Sequence, residues 1–173
     1  KIKDYCASLL QRNIKTNKKI MKLSANFQLS ELVKSQVAER KGIPNNPSPT
    51  HIDNLKSLAV NVLQPIRSHF ESPVIISSGY RSQELCIAIG SKITSQHSEG
   101  KAADLEVPGV DNKELAIWIK ENLEYDQLIL EFYRDGEPDS GWVHVSWNSD
   151  KNRSTSLRAS RDEELGKTVY KPW

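Results

Sequence analysis

The strongest constraint on this chain is the spacing of its strand-forming runs. Gln127 to Tyr133 and Trp142 to Trp147 are separated only by a polar turn that holds Gly136, Pro138, Asp139 and Gly141. Strands joined so briefly pair antiparallel, because a parallel pair needs a crossover of a dozen or more residues. Upstream, Val74 to Gly79 reads as a buried strand after Pro73, and Ala102 to Val107 as another, closed by Pro108-Gly109. Leu157 to Ser160 and Thr168 to Tyr170 read as edge strands. Such spacing leaves no room for helical crossovers throughout, which argues against a doubly wound parallel sheet.

Helical periodicity falls in separate blocks, and the chain holds no internal repeat. Phe27 to Val33 reads as a short helix with a Ser30 cap, running into Gly42 to Pro49, where three prolines forbid regular structure. From Thr50 onward, Ile52, Leu55, Leu58, Ala59, Val62, Leu63 and Ile66 follow helical spacing, with Thr50 and Asp53 resembling a capping box. Pro65 inside that pattern predicts a kink or break. Gln83 to Ile89 and Asn112 to Asn122 read as shorter helices. The expected fold class is α+β, a small mostly antiparallel sheet with helices packed on one face.

At 173 residues the chain fits one domain able to bury roughly 70% of its extended surface. Its 24 basic and 22 acidic residues leave a net charge of +2, so no overall field argues for nucleic acid. No apolar run approaches the ~18 residues of a spanning helix, so membrane insertion is not expected. Residues 1–20 are basic, with Lys1, Lys3, Arg12, Lys15, Lys18 and Lys19 against Asp4 alone. They are expected to be a disordered or non-native leader, with a single domain over 21–173. The apolar stretch from Tyr5 to Leu10 is too short for a signal peptide, and Arg12 prevents its extension. Cys6 and Cys86 support neither a disulfide framework nor a thiolate metal site, and Cys86 reads as a small buried hydrophobe.

His97, Asp104 and His144 carry the chemistry. Two imidazoles and a carboxylate form a zinc-ligand set with one coordination position open, the arrangement of a catalytic site that keeps a place for water. Strand alternation supplies a geometric basis. Asp104 shares a strand face with Glu106, opposite Ala103, Leu105 and Val107; His144 lies with Trp142 and Ser146, opposite Val143 and Val145. Neighbouring strands would bring Asp104 and His144 together, with His97 returning through the turn at Gly100. Spacing alone also admits two hydrogen-bonded histidines and an ordinary aspartate.

A hydrolase of this kind needs a general base. Glu131 is the first choice, because it ends the apolar run Leu128-Ile129-Leu130, where a drier setting would raise its pKa. Asp139 is the competitor, although Pro-Asp-Ser-Gly is also common turn chemistry. Arg81, following Gly79 and Tyr80, is placed to hold a substrate carboxylate through its forked guanidinium, with a structural salt bridge as the alternative. Ser95 and Gln96 are expected to orient substrate or brace His97. Glu99 decorates the loop, His51 and His69 read as surface or helix-end residues, and Trp142 and Trp147 as groove lining or plain packing.

Four segments together, Ser78-Gly79-Tyr80-Arg81-Ser82, Ser95-Gln96-His97 through Gly100 to Asp104, Tyr125-Asp126-Gln127-Leu128-Ile129-Leu130-Glu131 and Trp142-Val143-His144-Val145-Ser146, resemble the zinc D-alanyl-D-alanine peptidases. The nearest likeness is to the branch holding the zinc D-alanyl-D-alanine carboxypeptidases and phage cell-wall peptidases, and it runs from about Met21 to Trp147. The resemblance implies a fold shared with hedgehog-type and D-Ala-D-Ala peptidases, one catalytic Zn²⁺ on His97, Asp104 and His144, substrate contact by Arg81, and cleavage of peptidoglycan stem or cross-link peptides. Several family members place the catalytic acid three residues before the last histidine. That position here is Gly141, so Glu131 is expected to take the role.

The expected mechanism has Zn²⁺ polarising the scissile carbonyl and activating water, Glu131 shuttling the proton and Arg81 anchoring a peptide carboxylate. Without a signal peptide, such an enzyme would reach the wall or periplasm through a partner such as a holin, as an endolysin, on a virion, or as a host enzyme exported by some other route. A monomer is expected. Two rival outcomes are a D,D-carboxypeptidase or dipeptidase trimming free ends, and a non-catalytic, zinc-stabilised virion or wall-binding module.

Overall fold

The computed structural model describes residues 21–173, so the basic leader and Cys6 lie outside the described residues. Six strands form one sheet: β1 (Ile75–Ser78), β2 (Ala102–Glu106), β3 (Gln127–Glu131), β4 (Trp142–Ser146), β5 (Thr155–Asp162) and β6 (Lys167–Pro172). Their order across the sheet is β1-β2-β4-β3-β5-β6. All neighbours are antiparallel except β3 and β5, which run parallel. The turn after β3 sends β4 back along it, so β4 ends beside the start of β3. There the Asp126 amide donates to Ser146 O and the Thr155 amide to Asp126 O, so β5 enters at that end and follows β3. The fold class is therefore α+β with a mostly antiparallel sheet, as the strand spacing implies.

Two strand expectations need correction. Val74 to Gly79 is not a buried strand: β1 lies on the sheet edge, Ile75 is 50% exposed, and none of the four residues of β1 is buried. An apolar run marks a strand but does not say whether both of its flanks are covered. Leu157 to Ser160, expected at an edge, belongs to β5, which is covered by β3 on one side and β6 on the other.

Among the described residues six α-helices accompany the sheet: α1 (Leu29–Leu32), α2 (Gln36–Lys41), α3 (Pro49–Leu58), α4 (Gln64–Phe70), α5 (Gln83–Ala88) and α6 (Asn112–Asn122). α1 is capped by Gln28 rather than Ser30, with Glu31 accepting the Gln28 amide. α3 is capped by Ser48, whose hydroxyl accepts the His51 amide, so Thr50 is not its cap. Pro49 occupies the first turn, where its missing N–H is no loss. Pro65 does disturb the helix, and the chain absorbs it in a widened π-type turn, Ala59–Leu63, ending with the Gln64 amide on Ala59 O.

One sheet face builds the core. Ala103, Leu105, Leu128, Leu130, Val143 and Val145 pack with Leu55, Leu58, Val62, Leu63 and Ile66 of the long helical stretch and with Leu115 and Ile119 of α6. Each fully buried side chain of this size contributes about 2 kcal/mol. Alternation then presents Asp104, Gln127, Ile129, Glu131, Trp142 and His144 on the opposite face, over which a cleft opens.

Candidate metal centre

Register brings the ligands together before any side chain is considered. Asp104 of β2 is the direct partner of His144 of β4. His97 arrives from outside the sheet, on a 3-10 turn, Gln96–Glu99, whose first amide at His97 is braced by the Ser95 hydroxyl. The turn closes at Gly100 with φ +71°, and the chain passes directly into β2.

His97 Nε2, His144 Nδ1 and Asp104 Oδ1 form a small triangle. Its edges are 3.2 Å between the histidine nitrogens, 2.8 Å from His144 to Asp104 and 3.2 Å from His97 to Asp104. Four-coordinate zinc with ligands at 2.0–2.1 Å needs edges of about 3.3 Å, so these donors fit such an ion with little movement. All three residues are buried. His97 Nδ1 lies 2.7 Å from the Gly79 carbonyl oxygen, which only accepts, so Nδ1 carries the proton and Nε2 keeps its lone pair for a metal. Gly79 is required for this contact. A Cβ there would stand 2.2 Å from Leu32 O, the same oxygen that takes the Tyr80 amide.

Electrostatics suit a cation. Burial pushes the His97 pKa down, against the opposing charge of Asp104, and keeps the imidazole neutral. Burial disfavours ionisation of Asp104, but His97 and His144 outweigh it and hold the carboxyl well below its ordinary range. Asp104 Oδ2 accepts from Arg81 Nη2 at 2.5 Å, while Arg81 Nε donates to Ser78 Oγ. Arg81 thus faces the cleft while bracing a ligand. Both hydrogens of Nη1 and the second hydrogen of Nη2 remain for substrate.

Glu131 ends β3 and lines the same cleft as the three ligands. Burial raises its pKa; His144 opposes, Asp104 adds, and Arg81 opposes. Asp139 is exposed in the turn between β3 and β4 and does not line the cleft. Gln96 lines the cleft and donates to Asp126. Glu99 pairs with Lys101 at the surface, His51 approaches the Tyr80 hydroxyl, and His69 stacks on Trp118. A separate hollow beneath α1 and α2, lined by Leu29, Val33, Ala38, Ile43 and Pro47 among others, brings no ligand cluster with it.

The peptidase M15 family profile matches residues 25–146, most of the chain and all of the residues above. The chain belongs to the peptidase M15 family. It is a zinc metallopeptidase of the D-Ala-D-Ala peptidase family, with His97, Asp104 and His144 as the group that can hold the metal. No curated protein matches it.

Gly141, three residues before His144, leaves no room for a side chain. A Cβ at this position would stand 1.9 Å from Glu131 O, and its φ is +65°. No acidic side chain fits there. Glu131, on the strand whose backbone closes that space, lines the cleft together with Asp104. Trp142 lines the cleft beside it and packs against Phe132, whereas Trp147 packs on the core.

Sequence reasoning missed three residues of this region. Asp126 is fully buried and holds both Gln96 and Arg153; Arg153 and Tyr170 line the cleft from the far side. Asp126 had a signal, a charged residue flanked by Tyr125 and an apolar strand. Arg153 and Tyr170 had none, because their place depends on the parallel addition of β5.

Proposed function

We propose that this zinc metallopeptidase acts on peptidoglycan, hydrolysing stem or cross-link peptides that contain D-alanine, on a fold of the hedgehog and D-Ala-D-Ala peptidase type. The observation that carries the reading is a partly dry carboxylate, Glu131, in one cleft with three converging metal donors. The cleft, about 690 Å³, has room for a short stretch of peptide. The four resembling motif segments supply the substrate class.

Bound zinc supplies Lewis acidity, polarising a peptide carbonyl and making water acidic enough to attack near neutral pH. Glu131 takes the proton of the attacking water and passes it to the leaving amine, a task suited to a carboxyl whose pKa lies above its ordinary value. Arg81 holds Asp104 in place and offers Nη1 to the substrate. Ser95 fixes the His97 turn, and Gln96, held on Asp126, forms part of the wall that orients the peptide. We place the protein among endolysin-type or virion-associated enzymes acting at the cell wall as a monomer, reached through a holin or on a particle, by its likeness to phage cell-wall peptidases.

The test is turbidity clearing of purified peptidoglycan with metal analysis of the same samples, with and without chelator. Glu131→Ala is expected to keep zinc and lose about 10²- to 10⁴-fold in rate, whereas His144→Ala loses both zinc and activity. Full activity of Glu131→Ala would remove Glu131 from the mechanism, and absence of zinc from active protein would remove the reading. Release of only free D-alanine from purified muropeptides would assign a carboxypeptidase, and metal-bound protein that never cleaves would assign a binding module.

A further inference from the structure

The family match ends at residue 146, but the cleft does not. Arg153, Leu157 and Tyr170 complete its wall, and all three come after β4 in the chain. Sheet register fixes where they stand. Asp104 is opposite His144, His144 opposite Ile129, and Ile129 opposite Leu157, a row running from β2 to β5. In the neighbouring row, Trp142, Glu131, Ala159 and Tyr170 succeed one another across β4, β3, β5 and β6. Register partners project to one face of a sheet. The metal ligands, Glu131 and Tyr170 therefore share a face.

Two strand spacings, about 10 Å, separate the backbones of Glu131 and Tyr170. The residue between them is Ala159, a methyl only 1% exposed. Glu131 and Tyr170 thus flank this small residue on the cleft face, while Ile129 and Leu157 lie side by side in the next row as an apolar strip. On the opposite side Arg153 is tied to Asp126. Tyr170 itself is 54% exposed, so its ring is free to be covered by a ligand.

We propose that the β5–β6 hairpin forms one half of the substrate cleft, an apolar subsite floored by Ile129 and Leu157 and walled by Tyr170, which takes a small aliphatic side chain of the peptide beside the bond that is cut. This rests on the peptidase reading above. A charged side chain there would lose hydration without a partner on the strip, and a long one would meet Tyr170 or Glu131.

Steady-state kinetics on purified muropeptides test it with Tyr170→Ala and Tyr170→Phe. Loss of the wall in Tyr170→Ala is expected to raise KM about tenfold with little change in kcat, the mark of lost uniform binding. Tyr170→Phe keeps the ring and is expected to undo most of the rise in KM of Tyr170→Ala. A second readout needs no turnover: muropeptide binding to Glu131→Gln protein, measured by calorimetry, weakens by the same factor when Tyr170→Ala is added. Synthetic stem peptides with D-glutamate in place of D-alanine are expected to bind Glu131→Gln protein about tenfold more weakly. Unchanged KM and Kd in Tyr170→Ala, with wild type cleaving, overturn the subsite and leave the peptidase reading standing. Equal binding of the D-glutamate peptides overturns its aliphatic preference. Wild-type protein that neither binds nor cleaves muropeptides overturns both.

Discussion

Asp126 keeps its charge in a fully buried position because donors surround it. Its carboxylate accepts from Gln96 Nε2 and from the backbone amide, Nε and Nη2 of Arg153. The Arg153 hydrogen bonds outweigh burial, Gln96 adds to them, and the pKa falls below the ordinary aspartate value. The folded protein therefore binds this proton less readily than the unfolded chain. Stability from Asp126 is present above the unfolded pKa, about 3.9, and is lost as pH falls through the lower folded value. Replacing Asp126 by Asn weakens charge-assisted bonds, at a cost of about 2 kcal/mol near neutrality. Urea unfolding at pH 7 and at pH 3 measures it: the gap between wild type and Asp126→Asn is expected to shrink at the lower pH. A gap independent of pH would show that packing, rather than the charge, holds this residue.

Among the elements, the long helical stretch depends on its start and its defect. Ser48 accepts the His51 amide, and the π-type turn takes up Pro65 without ending the helix. Ser48→Ala is expected to cost about 1 kcal/mol, read as a lower urea midpoint with unchanged slope; no change would mean that tertiary packing alone holds the first turn. This stretch was legible in the sequence because Leu55, Leu58, Val62, Leu63 and Ile66 repeat at helical spacing, but its cap was misplaced by two residues. β2, β3 and β4 were legible because alternation leaves one face apolar, and the same alternation placed Asp104 and His144 together. α2 was not, since six residues capped by Ser35 and closed by Gly42 carry too few apolar positions for a period. A salt bridge of Arg81 was among the readings, but its partner Asp104 was not legible, because pairing across 23 residues depends on where β1 meets β2.

At the scale of the molecule, the metal donors tie together pieces that are far apart in sequence: a 3-10 turn, β2 and β4, with Glu131 on β3 beside them. None of the three ligands belongs to the apolar cluster that the helices make with the sheet. Protein groups also hold the donors in place: Asp104 accepts from Arg81, and the Gly79 carbonyl lies on His97 Nδ1. Chelation should therefore leave the protein folded but less stable, unlike a zinc finger that unfolds without its ion. An ion that binds only the native state stabilises it by about 4 kcal/mol at a thousandfold excess over Kd. For a chain of this length that corresponds to a rise in Tm of about 10 °C. Differential scanning fluorimetry with added zinc or chelator measures the rise, and in His144→Ala it is expected to vanish. Glu131→Gln should keep it, because Glu131 acts on the substrate side of the cleft rather than in the ligand triangle. A zinc-dependent Tm that survived in His144→Ala would place the ion elsewhere, and with it the origin of the activity.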